Sequence, residues 1–195
     1  MDKKETDISN FSRGAAVNGP KPIGIKTGPH QVIFTDIGMH IDQNGIWHYR
    51  GSPINRPNFI KLFASILRRD KSGAYWLITS TEIAPVEVED VPFTVVELQV
   101  KDTHHNQTIK FVTNVGTSAT ADTNHPLRID INSETGEPSP YITLDHNIEA
   151  KVNRPTYYDL VMLAVEEKVG EEKIFGVWSG GMFHKLCSMA EFDEI

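Results

Sequence analysis

The sequence predicts an α+β protein built from two tandem, diverged copies of a strand-hairpin/helix/strand unit. Three observations predict it. Short apolar runs alternate with period two along much of the chain, two segments switch to helical spacing, and each helical segment opens on an Asn-Arg-Pro triplet, at Asn55-Arg56-Pro57 and Asn153-Arg154-Pro155.

Residues 1–28 lack periodicity and hold Gly14, Gly19, Pro20, Pro22, Gly24 and Gly28, which predicts a flexible, loosely held N-terminal arm that either drapes over the body or stays disordered. The first α+β repeat is expected over 29–88. The runs 31–42 and 46–51 read as strands joined by the turn Gln43-Asn44-Gly45, an Asn-Gly hairpin signal. From Pro57, the residues Phe59, Leu62, Phe63, Ile66 and Leu67 share one helical face, with Arg68 and Arg69 expected in the last turn and Lys71-Ser72-Gly73 as the stop. A buried strand over 74–79 follows, then an extended stretch from Glu82 to Phe93.

The second repeat is expected over 89–195. Residues 93–100 and 108–115 read as a hairpin, and 116–145 as short strands joined by loops. A second helix begins at Pro155, with Tyr157, Leu160, Val161 and Ala164 on one face, Glu166 and Glu167 outside, and Gly170 as its stop. One strand and a shorter apolar segment close the chain. The copies correspond beyond the triplets: His40-Ile41-Asp42 stands opposite Arg128-Ile129-Asp130 upstream, and each helix leads to a strand with a tryptophan, Trp76 or Trp178.

Arg56 and Arg154 are the informative positions. A residue before proline avoids the α region, and proline favours the first helical position, which predicts both arginines at helix N-caps. Arginine is a poor choice there, because it cannot accept from the free amides and its charge opposes the dipole by roughly 0.3–1 kcal/mol. Two explanations stand. Each arginine folds back on a carboxylate such as Asp42, Asp90, Asp130 or Glu149, or each joins the helix start to grip an anion such as a phosphate.

Composition narrows the function. A net charge of −7 excludes a nucleic-acid binder that works through a broad basic surface. The lone Cys187 forms no internal disulfide, the charged N-terminus lacks a signal-peptide apolar region, and no run approaches the length of a membrane span, so cytoplasm is the expected location. Self-association is left open, and no cofactor is specified.

Several constellations carry little. Gly14 to Lys21 resembles a P-loop only superficially, because Pro20 precedes Lys21 and no Ser or Thr follows. Glu87 and Glu89 share a strand face and read as a solvated edge, a metal-facing pair or a catalytic pair. His104-His105 are expected exposed in a turn. Cys187 is expected as a small buried residue and Trp47, Trp76 and Trp178 as core anchors. No spacing matches a structural zinc site, and Ser179-Gly180-Gly181 lacks the nucleophile-elbow pattern.

The run from Gly45 to Thr79, then Glu87-Val88-Glu89-Asp90-Val91-Pro92-Phe93, Asn124 to Ile129, and Pro140 to Val161 together resemble a bacterial family, domain of unknown function 1285. One departure is Thr79-Ser80-Thr81-Glu82, where the family pattern has Thr-Pro-x-Glu. The resemblance implies a duplicated α+β core with a pleckstrin-homology-like second half, a nucleotide-like ligand at the interface of the halves, and a signalling role. Matching positions make Arg56, Glu82, Glu87, Asp90, Phe93, His125, Arg128, Tyr141 and Arg154 the candidate ligand-binding residues. The leading expectation is a non-enzymatic ligand-binding or regulatory module, in which Phe93 and Tyr141 stack on a base. The alternatives are a hydrolase of a phosphorylated small molecule using Glu87, Asp90 and His125, and a protein-interaction scaffold.

Overall fold

The computed structural model describes residues 20–170 and 172–188. They fall into two compact units, the first running through Pro92 and including His146–Ile148, the second holding the rest.

In the first unit the turn chemistry sets the strands. Gly45 takes φ +73°, and the Asp42 carboxylate accepts the amides of Asn44 and Ile46, so β2 (Met39–Ile41) folds back on β3 (Trp47–Tyr49) as predicted. β4 (Ser52–Pro53) extends that meander, and α1 (Pro57–Ile66) follows. After it, β5 (Leu67–Arg69), β6 (Tyr75–Ile78) and β7 (Glu82–Val88) form a second meander. β1 (Val32–Ile33) and β2 both lie parallel to β7, at Glu82–Ile83 and Glu87–Val88. Pro85 falls between these two contacts, where no ladder donor is needed. Trp47 stacks on Phe63 at 6.1 Å, above a core of Ile41, Leu67, Leu77 and Ile83.

Two expectations change here. The helix ends at Ile66 rather than at Lys71, and Arg68 and Arg69 lie on β5. Asp70 and its neighbours turn the chain at once into β6, and the pairing gained overrides helical spacing in the sequence. The arm is also tethered where it is described: Ile23 donates its amide to Asp70 and accepts the amide of Lys71. Residues 1–19 lie outside the described residues.

The second unit opens with β8 (Phe93–Lys101), β9 (Thr108–Thr113) and β10 (Ser118–Thr120), the predicted hairpin plus one strand. β11 (Leu127–Ile131), β12 (Pro138–Thr143) and β13 (Glu149–Val152) form the next meander, followed by α2 (Arg154–Val161). A last meander holds β14 (Val165–Val169), β15 (Glu172–Ser179) and β16 (Met182–Ser188) in a separate sheet. Val95, Ile109, Phe111, Ile142 and Leu160 are fully buried. α2 stops at Val161, so Glu166 and Glu167 lie on a strand, and Gly170 (φ +67°) turns the β14–β15 hairpin instead of ending a helix. Trp178 and Cys187 are half-buried rather than core residues.

The duplication holds at two levels. Locally, meander, Asn-Arg-Pro helix and meander repeat in the same order, β2–β4, α1, β5–β7 against β11–β13, α2, β14–β16. In the sheets, β4-β3-β2-β7-β6-β5 matches β10-β9-β8-β13-β12-β11, each joined at its centre by a parallel pair. The helix interrupts the first of these sheets midway and follows the second, so the two Asn-Arg-Pro triplets occupy different places relative to their sheets. Among the described residues the fold is mixed α+β, mostly sheet with two α-helices. Among the described residues, no helix is long and apolar enough to cross a membrane.

Candidate functional site

Arg56 sits at the α1 N-cap with extended backbone, as the following proline requires, and no side chain caps the helix. Its guanidinium lies 5.7 Å over the Phe59 ring. Among the described residues it forms an ion pair with no carboxylate. Pro57 brings no N–H, and the Phe59 amide bonds to the Arg56 carbonyl, so this helix start offers an anion a guanidinium more than a ring of amides.

Arg154 differs. Asn153 is the N-cap of α2, its side chain accepting the Thr156 amide at 2.9 Å, and Arg154 is the first helical residue. The expected N-cap position is therefore corrected: asparagine can accept from a free amide and arginine cannot. Arg154 Nη2 pairs with Glu137 at 2.5 Å, a carboxylate outside the expected set, and both side chains are exposed.

Of the other candidates in the first unit, Glu82 is buried at the start of β7, in a turn where the Thr79 amide donates to the Glu82 carbonyl and the Glu82 amide donates to the Thr79 hydroxyl, Glu87 is exposed, and Asp90 is half-buried. Glu89 accepts from His40 Nε2 at 2.9 Å and from the Gln43 amide. His48 Nε2 lies 3.1 Å from Asp42, and the two imidazoles are 5.7 Å apart. Burial pushes the Asp42 pKa up, but bonds from the Ile46 amide and His48 outweigh it and hold the carboxyl below its ordinary value. Sequence reasoning passed over this histidine pair. The signal was present, since a turn centred on Asn44 sets residue 40 across from residue 48.

In the second unit the sheet brings Arg128, Tyr141 and Lys151 side by side on three neighbouring strands. The Arg128 guanidinium lies 4.1 Å from the Tyr141 ring centre and Lys151 Nζ 5.5 Å. Arg128 Nε donates to Glu149 at 2.5 Å and Nη1 to Asp130. The Glu149 bond raises the guanidinium pKa against the lowering effect of burial, and Asp130 adds to the rise. The Arg128 side chain keeps 41% of its surface exposed. Phe93 and Tyr141 are 2% and 6% exposed, so neither ring offers a face for a base to stack on.

His125 stands apart from that row. Its Nδ1 is 3.1 Å from Asp122 and its Nε2 is 3.6 Å from Asp145. Burial raises the Asp122 pKa, but the His125 and Asn124 amides and the imidazole lower it further, so the carboxylate is held charged beside the ring. The buried Ser179 hydroxyl donates to the Ala121 carbonyl and accepts the Ile109 amide, a structural use consistent with its lack of a nucleophile motif. Among the described residues, no group of three or more His, Cys, Asp or Glu side chains could hold a metal ion.

Residues 29–91 match the family profile described as the N-terminal domain of DUF1285, a domain of unknown function, and residues 92–186 match its C-terminal domain. The chain belongs to the DUF1285 family. A DUF1285 family protein from Silicibacter pomeroyi DSS-3 is similar at 33% identity, covering 98% of this chain and 100% of that one, with a TM-score of 0.77. A DUF1285 family protein from Shewanella baltica OS155 is similar at 29% identity over 64% of this chain and 91% of that one, with a TM-score of 0.51. No curated protein matches the chain. The resemblance read from the motifs is thus confirmed, and it carries the duplicated DUF1285 architecture with it.

Proposed function

We propose that this chain is a non-catalytic, ligand-binding regulatory protein, located in the cytoplasm, that takes an anionic small molecule of nucleotide type. The observation that carries the reading is Arg56, a guanidinium at a helix start with no carboxylate partner among the described residues. Locally such a residue weakens the helix, and an anion between guanidinium and helix dipole removes that penalty. The pleckstrin-homology likeness of the second half and the signalling role implied by the family resemblance belong to this proposal.

The test is thermal melting with a panel of nucleotides, and with inorganic phosphate as the simpler anion. A ligand at one hundred times its dissociation constant stabilises the fold by about 2.7 kcal/mol, which raises Tm by about 5–10 °C in a chain of this size. The shift should disappear in Arg56→Ala and persist in Arg154→Ala, whose residue is already paired. A shift unchanged in Arg56→Ala, or none with any nucleotide, overturns the reading.

His125 favours one second reading. A ring held between two carboxylates is a suitable general base, as a hydrolase of phosphorylated small molecules requires. Product formation lost in His125→Ala would replace the binding module with that enzyme.

A further inference from the structure

β14 lies at one end of its three-stranded sheet, hydrogen-bonded to β15 on one side and to no other strand among the described residues. A free edge of this kind is a template for another strand. We propose that it is a homodimer interface, in which β14 of one copy pairs antiparallel with β14 of a second copy about a two-fold axis through Glu167.

The strand reads Val165-Glu166-Glu167-Lys168-Val169. An antiparallel pair related by a two-fold axis normal to the sheet must centre on a residue, and centring on Glu167 engages the whole strand. That register sets Glu166 of each copy opposite Lys168 of the other, on the same face, twice. Centring one residue earlier or later sets Glu166 against Glu166 or Lys168 against Lys168. In the one register that uses its full length the strand sets two opposite-charge pairs against a single like-charge pair, Glu167 with its own copy.

The neighbouring side chains agree with this register. Glu166 is held by Lys173 of its own chain at 2.8 Å, yet both remain partly exposed, so its carboxylate can accept a second cation. Glu167 lies on the axis, facing its own copy, and Trp178 Nε1 donates to it at 3.0 Å, drawing the carboxylate along its own chain. Just before the strand, Tyr158, Val161 and Met162 are exposed, Met162 at 85%, as is Val165 within it. Val165 lies on the edge strand itself, and the exposed residues of α2 and its cap lead directly into that strand. Pairing would join two three-stranded sheets into one of six strands.

The full-length chain is tested by light scattering and sedimentation over a range of concentrations. The wild type should appear at twice the 21.9 kDa chain mass. Lys168→Glu, which leaves the Glu166–Lys173 pair in place, should raise the dimer dissociation constant at least about tenfold, because two attractive contacts become repulsive. The charge reversal Glu166→Lys, Lys168→Glu and Lys173→Glu, which keeps the pair between positions 166 and 173 in inverted sense, should restore the dimer. A monomeric wild type, a dimer indifferent to Lys168→Glu, or a charge-reversed chain that stays monomeric overturns the proposal. As a second measurement, Glu167→Cys in a Cys187→Ser background should cross-link to its copy on mild oxidation, and failure to do so overturns the proposal as well.

Discussion

Trp76 donates its indole N–H to the Asp70 carboxylate at 3.0 Å, and the amides of Ile23, Ser72 and Ala74 and the Ser72 hydroxyl converge on the same two oxygens. One buried side chain thus closes the β5–β6 turn, orients a core tryptophan and tethers the segment preceding β1. Asp70→Ala strands several donors and should destabilise the fold by about 2–4 kcal/mol, read by urea unfolding. Asp70→Asn keeps one acceptor oxygen and should recover only part of the loss.

The same carboxylate sets an acid limit. Burial pushes its pKa up, but the Ser72 hydroxyl, the Ile23 amide and the Trp76 indole outweigh that effect and hold it at about 2, against 3.8 for a free aspartate. A depressed folded-state pKa gives stability that is complete above the unfolded value and is lost as pH falls through the folded one. The Asp70 contribution should therefore persist above about pH 4 and vanish towards pH 2, measured as the wild-type-minus-Asp70→Asn difference in acid titration.

Gly176 is fixed by space. A Cβ there would lie 2.4 Å from the His184 carbonyl and 2.6 Å from the Phe183 ring, at a bulge between β15 and β16. Backbone cannot yield as a flexible side chain can. Gly176→Ala should cost about 1–3 kcal/mol and broaden the amide signals of β16.

Ser179→Ala should cost about 1–3 kcal/mol, because the Ile109 amide and Ala121 carbonyl lose their shared partner in a dry site. A serine used for catalysis would give the opposite pattern, a stable variant without activity. Melting temperature distinguishes the two.

The helix starts provide a paired experiment. Asn153→Ala removes a working cap and should lower stability by about 1 kcal/mol. Arg56→Ser adds a cap where none exists and should raise stability by up to about 1 kcal/mol, while removing the anion contact. A variant that melts higher and binds less would separate the role of Arg56 from folding.

Legibility in the sequence followed locality. The hairpin at Asn44-Gly45, the β8–β9 pair and both helix starts were readable because a turn residue or a proline acts on its immediate neighbours. The helix ends were not. Leu67 and Val165 continue an apolar pattern that fits helix or strand equally, and only pairing with β6 or β15 decides between them. The candidate residues behaved alike. Arg56 and Arg154 stood out by their shared triplet, yet Asn153 and the distant Glu137 make them different. His40 and His48 were overlooked because their partnership depends on hairpin register rather than on any motif.

The parallel pairs at the centres of the two matched sheets govern the order in which the chain can fold. β2 meets β7, and β8 meets β13, only after all the intervening strands have been made, whereas each antiparallel meander closes on its neighbours. Chain closure over long separations is entropically slow, so the meanders form early and the central seams last. During synthesis the first seam can close once β7 has left the ribosome, while β8 must wait for β13. Until then β8 presents an unpaired edge, the kind of surface on which another chain can add a strand.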